Sequence, residues 1–195
     1  MFKFIIKIFP IFIFFIFSAC TFDNTNYIGI KSKADLYLPV FNLQNQNGVY
    51  LSDTDFKSEL VLVTFMYSDC KTECPSALND LKNFETIRNE YKDELNIIIF
   101  SIDPRNDTEL QINNLLKKYE LNNSLDYLIG DKDDLKVIWE HFYVPVANVE
   151  SKSLKESLVL HSIPAYLISD INKFTLIYTE FDIDSIRVDI QNILN

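Results

Sequence analysis

The sequence is poor in cysteine, histidine and basic residues, and each shortage narrows what the protein can be. Its 195 residues include three cysteines and two histidines. Three cysteines cannot form the framework of several disulfides on which many small secreted domains depend, so stability must come from an ordinary apolar core. Lysine and arginine total 18 against 28 acidic residues, a net charge of −10. A surface so acidic disfavours nucleic acid as a partner.

The first residues predict an export signal rather than part of the fold. Residues 2–17 are almost wholly apolar, are interrupted by Lys3, Lys7 and Pro10, and lead into Ser-Ala-Cys20. A charged start, an apolar middle and small residues at the end are typical of a signal peptide. The run is short for a membrane-spanning helix, which needs about 20 apolar residues.

Small residues directly before a cysteine resemble the bacterial lipoprotein cleavage box. This resemblance implies cleavage before Cys20 and a diacylglycerol on its sulfur; the alternative is an uncleaved anchor with an incidental cysteine. Both interpretations place the protein outside the cytoplasm, on the periplasmic side and attached to a membrane. We therefore predict a lipoprotein signal peptide over residues 1–19, a polar membrane tether over 20–36 and one folded domain over 37–195.

Apolar patterning within the domain predicts alternating strands and helices. The predicted elements are a hairpin of 37–43 and 49–51 with an Asn-Gly turn, a strand over 60–67, a helix from Pro75 to about Tyr91, a strand over 95–102, a helix over 108–119 with Asp107 as N-cap, a strand over 125–129, a helix over 131–142, a hairpin of 165–169 and 174–179, and a helix over 183–194. This order predicts an α/β fold with parallel central strands and an antiparallel edge from the last hairpin. Paired cysteines at its first strand-to-helix junction suggest a thioredoxin-like fold.

That junction carries the motif Cys70-Lys-Thr-Glu-Cys74-Pro75. Proline suits the first helical position, which places Cys74 at or next to the N-cap and Cys70 in the loop before it. The positive end of the helix dipole favours thiolate over thiol. Two close thiolates either form a redox disulfide or hold a soft metal, but they cannot complete an iron–sulfur cluster that needs four cysteines. Thioredoxin-type oxidoreductases usually have two residues between their cysteines; the three found here permit either chemistry.

His161 is the candidate third ligand. In a thioredoxin-like sheet, the junction before the strand over 165–169 lies beside the start of the first helix, so His161 can face the cysteines. Two thiolates and one imidazole make a soft site suited to Cu(I), and the imidazole also helps to hold Cu(II). The alternative is an edge histidine bonded to backbone. His141 ends an apolar helix face, and we interpret it as structural.

Three segments occur in the order found in SCO/SenC proteins, and the sequence therefore resembles that family. The segments are Tyr67-Ser-Asp-Cys-Lys-Thr-Glu-Cys-Pro75, Ser101-Ile-Asp-Pro-Arg-Asn-Asp-Thr108 and His161-Ser-Ile-Pro-Ala-Tyr-Leu-Ile168. Members are membrane-tethered, thioredoxin-like copper chaperones for cytochrome c oxidase assembly. The resemblance implies a central mixed sheet flanked by helices, with an N-terminal β-hairpin. It also implies that Cys70, Cys74 and His161 bind copper and that the cysteine pair can cycle through a disulfide.

Two positions depart from the family pattern. Leu160 stands where many members carry an acidic residue, which affects how His161 is oriented by its neighbours. Pro164 is similar to the thioredoxin cis-proline, a position that is often not proline in copper-delivering members. Its bond to Ile163 is left open between cis and trans.

Three hypotheses follow. The first is a copper-binding metallochaperone, rather than an enzyme, that delivers copper to the copper-site subunit of a terminal oxidase and works with thiol-disulfide or copper-donor proteins. The second is a thiol–disulfide oxidoreductase that reduces partner cysteines without carrying copper. The third is a structural disulfide in a domain that only binds partners, which is disfavoured because a bridge across so short a loop restricts the unfolded chain little. His161 separates the first two, because only copper binding should need it.

Overall fold

A computed structural model describes residues 26–34, 36–71, 73–146 and 163–194. The elements in chain order are β1 (Ile30–Lys31), β2 (Asn42–Gln44), β3 (Tyr50–Ser52), a 3-10 turn (Asp53–Asp55), β4 (Leu60–Met66), α1 (Cys74–Asn83), α2 (Glu85–Glu90), β5 (Leu95–Ser101), α3 (Glu109–Lys118), β6 (Asp126–Leu128), α4 (Lys132–His141), β7 (Ala165–Ser169), β8 (Phe174–Tyr178) and α5 (Ile183–Leu194).

A mixed six-stranded sheet in the order β1-β8-β7-β4-β5-β6 forms the centre of the domain. Strands β4, β5 and β6 are parallel, whereas β7, β8 and β1 run antiparallel to their neighbours. Thr64 of β4 pairs with Ala165 of β7, so β7 begins at the edge of the sheet where β4 ends. The predicted α/β fold with a central mixed sheet is confirmed.

The N-terminal hairpin of β2 and β3 forms a separate two-stranded sheet. Gly48 in its turn has a φ of +76°, a conformation that glycine adopts without steric cost. Both strands have three residues, so the predicted hairpin is present but shorter than the apolar pattern suggested.

Apolar side chains fill both faces of the sheet. Every residue of β4 is buried, as expected for a strand covered on both sides. Alternate β4 residues such as Leu60 and Leu62 pack with α1, α3 and α5 on one face, while Val61 and Val63 pack with α4 and the hairpin on the other. Each fully buried side chain of this size contributes about 1.5–3 kcal/mol. These two core layers pack on both faces of the strand that leads into the cysteine loop.

The helix predicted from Pro75 to Tyr91 is divided into α1 and α2 at Phe84. Phe84 is fully buried, and its N–H still bonds to the carbonyl of Asp80 at 2.9 Å. The apolar spacing runs through the division without interruption, which is why the sequence predicted one helix.

The N-cap of α3 is Thr108, and the prediction of Asp107 was wrong. The Thr108 hydroxyl accepts from the Gln111 N–H at 3.3 Å, and the Gln111 side chain accepts from the Thr108 N–H at 3.3 Å. This reciprocal capping box satisfies the Gln111 N–H at the start of the helix and adds a second acceptor to the Thr108 N–H, which also bonds to the Asn106 carbonyl at 2.9 Å. Asp107 is therefore available to turn inward, where it is 5% exposed.

Part of the range predicted as tether packs onto the domain. Strand β1 pairs with β8, and the Ile28 and Gly29 N–H groups donate to the Asp189 carboxylate at 2.9 Å and 2.8 Å. A Cβ on Gly29 would lie 2.8 Å from the Tyr178 ring, so this approach requires glycine. Strand β1 has two residues and both are exposed, so the sequence shows no alternation of apolar and polar residues from which it could be predicted. Residues 1–25, including Cys20, lie outside the described residues, and no described helix has the length and apolarity needed to cross a membrane.

Candidate functional site

The cysteine pair lies at the junction that the sequence predicted. Helix α1 begins at Cys74, with Glu73 as N-cap and Pro75 as the second helical residue. A proline there removes an N–H that would have no partner within the helix. Cys70 lies in the loop between β4 and α1. Cys74 is thus next to the N-cap, as predicted.

Cys70 and Cys74 form a disulfide, with their Cα atoms 5.8 Å apart. The Cys74 N–H also donates to the Cys70 Sγ at 3.3 Å. This bond uses one of the free N–H groups of the helix start, so the sulfur lies at the positive end of the helix dipole, where a thiolate is stabilised after reduction.

The two sulfurs differ in access. Cys74 is 3% exposed and belongs to the core cluster under α1, whereas Cys70 is half-buried. Cys70 also lines a cleft of about 340 Å³ between the cysteine loop and α3. The other lining residues are Tyr67, Ser68, Asp69, Lys71, Pro75, Leu78, Leu115, Lys118 and Tyr119. A reagent or a partner thiol therefore reaches Cys70 first.

Asp107 is a residue of the site that sequence reasoning missed. One carboxylate oxygen, Oδ1, accepts from the Ser68 N–H at 2.7 Å. The other, Oδ2, accepts from the Ser101 hydroxyl at 2.6 Å and from the Tyr127 hydroxyl at 3.2 Å. The sequence did carry one signal for this role. Thr108 and Gln111 have the spacing of a capping box, so the preceding Asp107 is not needed as the N-cap.

Burial dominates the electrostatics of this contact. It raises the pKa of Asp107, although hydrogen bonds from Ser101 and Ser68 act in the opposite direction. Burial and the neighbouring Asp107 carboxylate raise the pKa of Tyr127 well above its usual value. Tyr127 therefore stays protonated and donates, and the loop before Cys70 is attached to the interior by a satisfied carboxylate.

The two histidines lie in different parts of the chain. His141 ends α4, where its Nε2 bonds to the Tyr37 carbonyl at 2.8 Å and its ring packs against Tyr37 and Phe142. These contacts agree with a structural role. His161 lies outside the described residues, so its position relative to the cysteines stays a prediction. Within the described ranges, no group of three or more histidine, cysteine, aspartate or glutamate side chains could hold a metal ion.

The segment that begins at Ile163 joins the sheet at the end where β4 leads into the cysteine loop. Ile163 is buried in the same core cluster as Cys74, and the Pro164 carbonyl accepts from the Thr64 hydroxyl at 2.9 Å. The described peptide bonds include no cis bond, so Ile163–Pro164 is trans. The chain thus approaches β7 from the side of the sheet that carries the cysteine loop.

Comparison with known families gives one match over most of the chain. Residues 31–195 match the family model described as SCO1/SenC. A SCO2-like protein of Rickettsia felis is 28% identical over 135 residues, which cover 69% of this chain and 65% of that protein. The chain therefore spans about two thirds of the length of this curated relative.

Solved structures show the same fold. ScoI of Bradyrhizobium japonicum, solved with copper bound, superposes with a TM-score of 0.65 at 22% identity, over 80% of this chain and 98% of that one. BsSco, a member of the Sco family of cytochrome c oxidase assembly proteins in which a disulfide switch was identified, gives a TM-score of 0.61 at 24% identity, over 85% and 94% of the two chains.

Proposed function

The chain belongs to the SCO1/SenC family, and we propose that it is a membrane-tethered copper-binding protein that delivers copper to a terminal oxidase during assembly. Cys70, Cys74 and His161 hold the copper, and the cysteine pair alternates between a dithiol that accepts copper and a disulfide that does not. Family membership supports this proposal, together with the likeness to a structure solved with copper bound and to an oxidase assembly protein.

The observation that carries the proposal is the placement of the two sulfurs. Cys74 begins α1 and Cys70 lies in the loop just before it, close enough for the two to be bonded to each other. Reduction turns this bond into two adjacent thiolates, which are soft ligands suited to Cu(I). Metal binding requires deprotonated thiols, so the disulfide and the copper complex exclude each other.

His161 supplies the third ligand in this proposal. It precedes the buried Ile163 by two residues in sequence, and the described chain from Ile163 enters β7 at the end of the sheet where β4 leads into the cysteine loop. An imidazole added to two thiolates completes a three-coordinate Cu(I) site and extends the ligand set to Cu(II).

Attachment to the membrane accounts for where the copper is delivered. The signal peptide over residues 1–19 is removed, and lipid on Cys20 holds the domain at the membrane on the periplasmic side. There it meets the copper-site subunit of the oxidase, and thiol-disulfide or copper-donor proteins that reduce or load it. The mass of the membrane-extracted chain tests this attachment: residues 1–19 are absent and a lipid is added in the wild type, and both changes are lost in Cys20→Ser.

Copper titration of the reduced full-length chain in detergent tests the site. A competing Cu(I) chelator gives the affinity of the wild type, of His161→Ala and of the matched control His141→Ala. We expect one copper per chain, weaker binding in His161→Ala and an unchanged affinity in His141→Ala. Failure of the reduced wild type to retain copper would refute the proposal.

A second candidate function, thiol–disulfide exchange without copper, is favoured by the half-buried Cys70 and the cleft beside it. A partner thiolate attacks the Cys70 Sγ, the Cys70–Cys74 bond breaks and Cys74 leaves as a thiolate. In the reverse direction the reduced pair reduces a partner disulfide. This activity should survive His161→Ala, and a reduced chain that exchanges disulfides readily but retains no copper would establish it.

A further inference from the structure

The loop that carries Cys70 is held at both of its ends. Towards α1, Cys70 is bonded to Cys74 and accepts the Cys74 N–H. Towards β4, the Ser68 N–H is held by the Asp107 carboxylate at 2.7 Å. The Ser68–Asp107 contact involves neither sulfur, so breaking the disulfide does not by itself remove this restraint on the loop.

Asp107 connects the loop to two strands of the sheet. Its carboxylate accepts from Ser101, the last residue of β5, and from Tyr127 in β6. All three partners donate, which is the arrangement an ionised, acceptor-only carboxylate requires. Ser101 is fully buried, and its hydroxyl also accepts from the Asp103 N–H at 3.1 Å. Two of the three donors that orient Asp107 therefore lie in the sheet, outside the cysteine loop.

Displacing this carboxylate is costly. A buried charged group without hydrogen bonds is far less stable than one with its partners in place. If the loop moved away, the carboxylate, which is 5% exposed with the loop in place, would lose the Ser68 donor. The contact therefore resists loop movement more strongly than a hydrogen bond on the surface would.

We propose that Asp107 is the positioning residue of the cysteine pair, holding the Cys70 thiol within reach of Cys74 once the disulfide is reduced. Two thiols on a restrained loop have a higher effective concentration for each other than two thiols on a mobile loop. The restraint favours closure of the disulfide, and it favours capture of one metal ion by both sulfurs. The copper part rests on the proposed function, whereas the disulfide part does not.

Asp189 provides a matched control in the same chain. It is fully buried and accepts from the Ile28 and Gly29 N–H groups and from the Tyr178 hydroxyl at 2.8 Å. Its chemistry is thus that of Asp107, a buried carboxylate holding backbone N–H and a tyrosine hydroxyl. Its partners belong to β8 and to the segment before β1, and none belongs to the cysteine loop.

The test compares Asp107→Asn with Asp189→Asn in the full-length chain. Dithiothreitol sets the disulfide equilibrium: it passes two electrons and two protons to the Cys70–Cys74 bond, which becomes two thiols while the reagent closes into a cyclic disulfide. We expect Asp107→Asn to shift this equilibrium about tenfold towards the dithiol. Copper affinity should fall about tenfold, as for residues that position metal ligands. Asp189→Asn should lower the urea midpoint without changing either quantity.

Tyr127→Phe separates positioning from loss of charge. This variant keeps the Asp107 carboxylate and removes one donor, so a positioning role predicts a smaller shift in the same direction. Tyr178→Phe is its control on the Asp189 side. Loss of the Asp107 charge alone would stabilise the thiolates and would raise the copper affinity rather than lower it.

Two outcomes would overturn the proposal: an Asp107→Asn variant whose disulfide equilibrium is unchanged, or equal shifts in Asp107→Asn and Asp189→Asn. If Asp107→Asn does not fold, Tyr127→Phe against Tyr178→Phe decides by the same readouts. A wild type that retains no copper would refute the proposed function, while the disulfide equilibrium would still decide the role of Asp107.

Discussion

Two buried aspartates, Asp107 and Asp189, have the same chemistry near opposite edges of the sheet, Asp107 beside β5 and β6 and Asp189 beside β8. Each accepts backbone N–H and a tyrosine hydroxyl in the interior. Asp107 holds the loop that carries Cys70, whereas Asp189 holds the segment that leads into β1. Burial of a carboxylate therefore does not by itself mark a functional site; the segment to which its donors belong decides what it does.

The largest expected effect on copper affinity comes from removing the Cys70 sulfur, whose loop is held by Asp107. Cys70→Ser eliminates the disulfide and one of the two thiolate ligands, so copper affinity should fall by more than about 100-fold. Ser68→Ala in the same loop keeps the backbone N–H that Asp107 holds, and it should retain copper. The measurement is Cu(I) competition on the reduced chain. Equal affinities for Cys70→Ser and Ser68→Ala would contradict a cysteine site.

Asp189→Ala should cause the largest loss of stability near the other edge of the sheet, where β8 pairs with β1. It leaves the Ile28 and Gly29 N–H groups and the Tyr178 hydroxyl without their acceptor, and an unpaired buried polar group costs about 1–3 kcal/mol. We expect a decrease of about 3 kcal/mol in the free energy of unfolding, measured in urea. Copper affinity should stay at the wild-type value. A stable variant with impaired copper binding would erase the distinction between the two aspartates.

Gly29→Ala should destabilise this edge of the sheet by a smaller amount. The new Cβ would lie 2.8 Å from the Tyr178 ring and 2.9 Å from the Leu176 side chain, and both neighbours are buried. Overpacking of this kind costs about 1–3 kcal/mol. Thermal unfolding checks the loss, with Gly48→Ala as a comparison in which positive φ rather than crowding is the main cause of strain. An unchanged midpoint in Gly29→Ala would show that the segment before β1 is not packed as described.

The pH dependence of stability sharpens the comparison on the Asp107 side. Burial raises the pKa of Asp107 above the ordinary value of 3.8. A group whose pKa is raised by folding adds stability at pH values below its pKa in the unfolded chain. This contribution is lost as the pH rises through its pKa in the folded protein. The stability difference between wild type and Asp107→Asn should therefore be largest below pH 3.8 and shrink towards neutral pH. Urea titrations of both proteins across this range provide the measurement, and a difference that grows with pH would contradict it.

Local signals were sufficient to predict much of the fold. The continuous apolar run predicted β4, and α5 begins and ends where its spacing predicted. Pro75 after paired cysteines predicted the start of α1. These features depend on residues that are close in sequence. They can be predicted directly from the spacing of apolar residues, which differs between helices and strands.

Features that depend on distant contacts could not be predicted in this way. The role of Asp107 depends on donors from the cysteine loop, β5 and β6, and its position before a helix suggested an N-cap instead. Strand β1 is too short to show a period, and its place is set by pairing with β8 and by Asp189. His161 was selected by its residue type and by the family resemblance, and its ligand role stays a prediction.

X-ray absorption of the Cu(I)-loaded chain tests the central claim most directly, because it counts the atoms bound to copper. We predict two sulfur ligands and one imidazole nitrogen in the wild type, with the nitrogen contribution lost in His161→Ala and kept in His141→Ala. An identical ligand set in the wild type and His161→Ala, or copper without two sulfur ligands, would contradict the site formed by Cys70, Cys74 and His161.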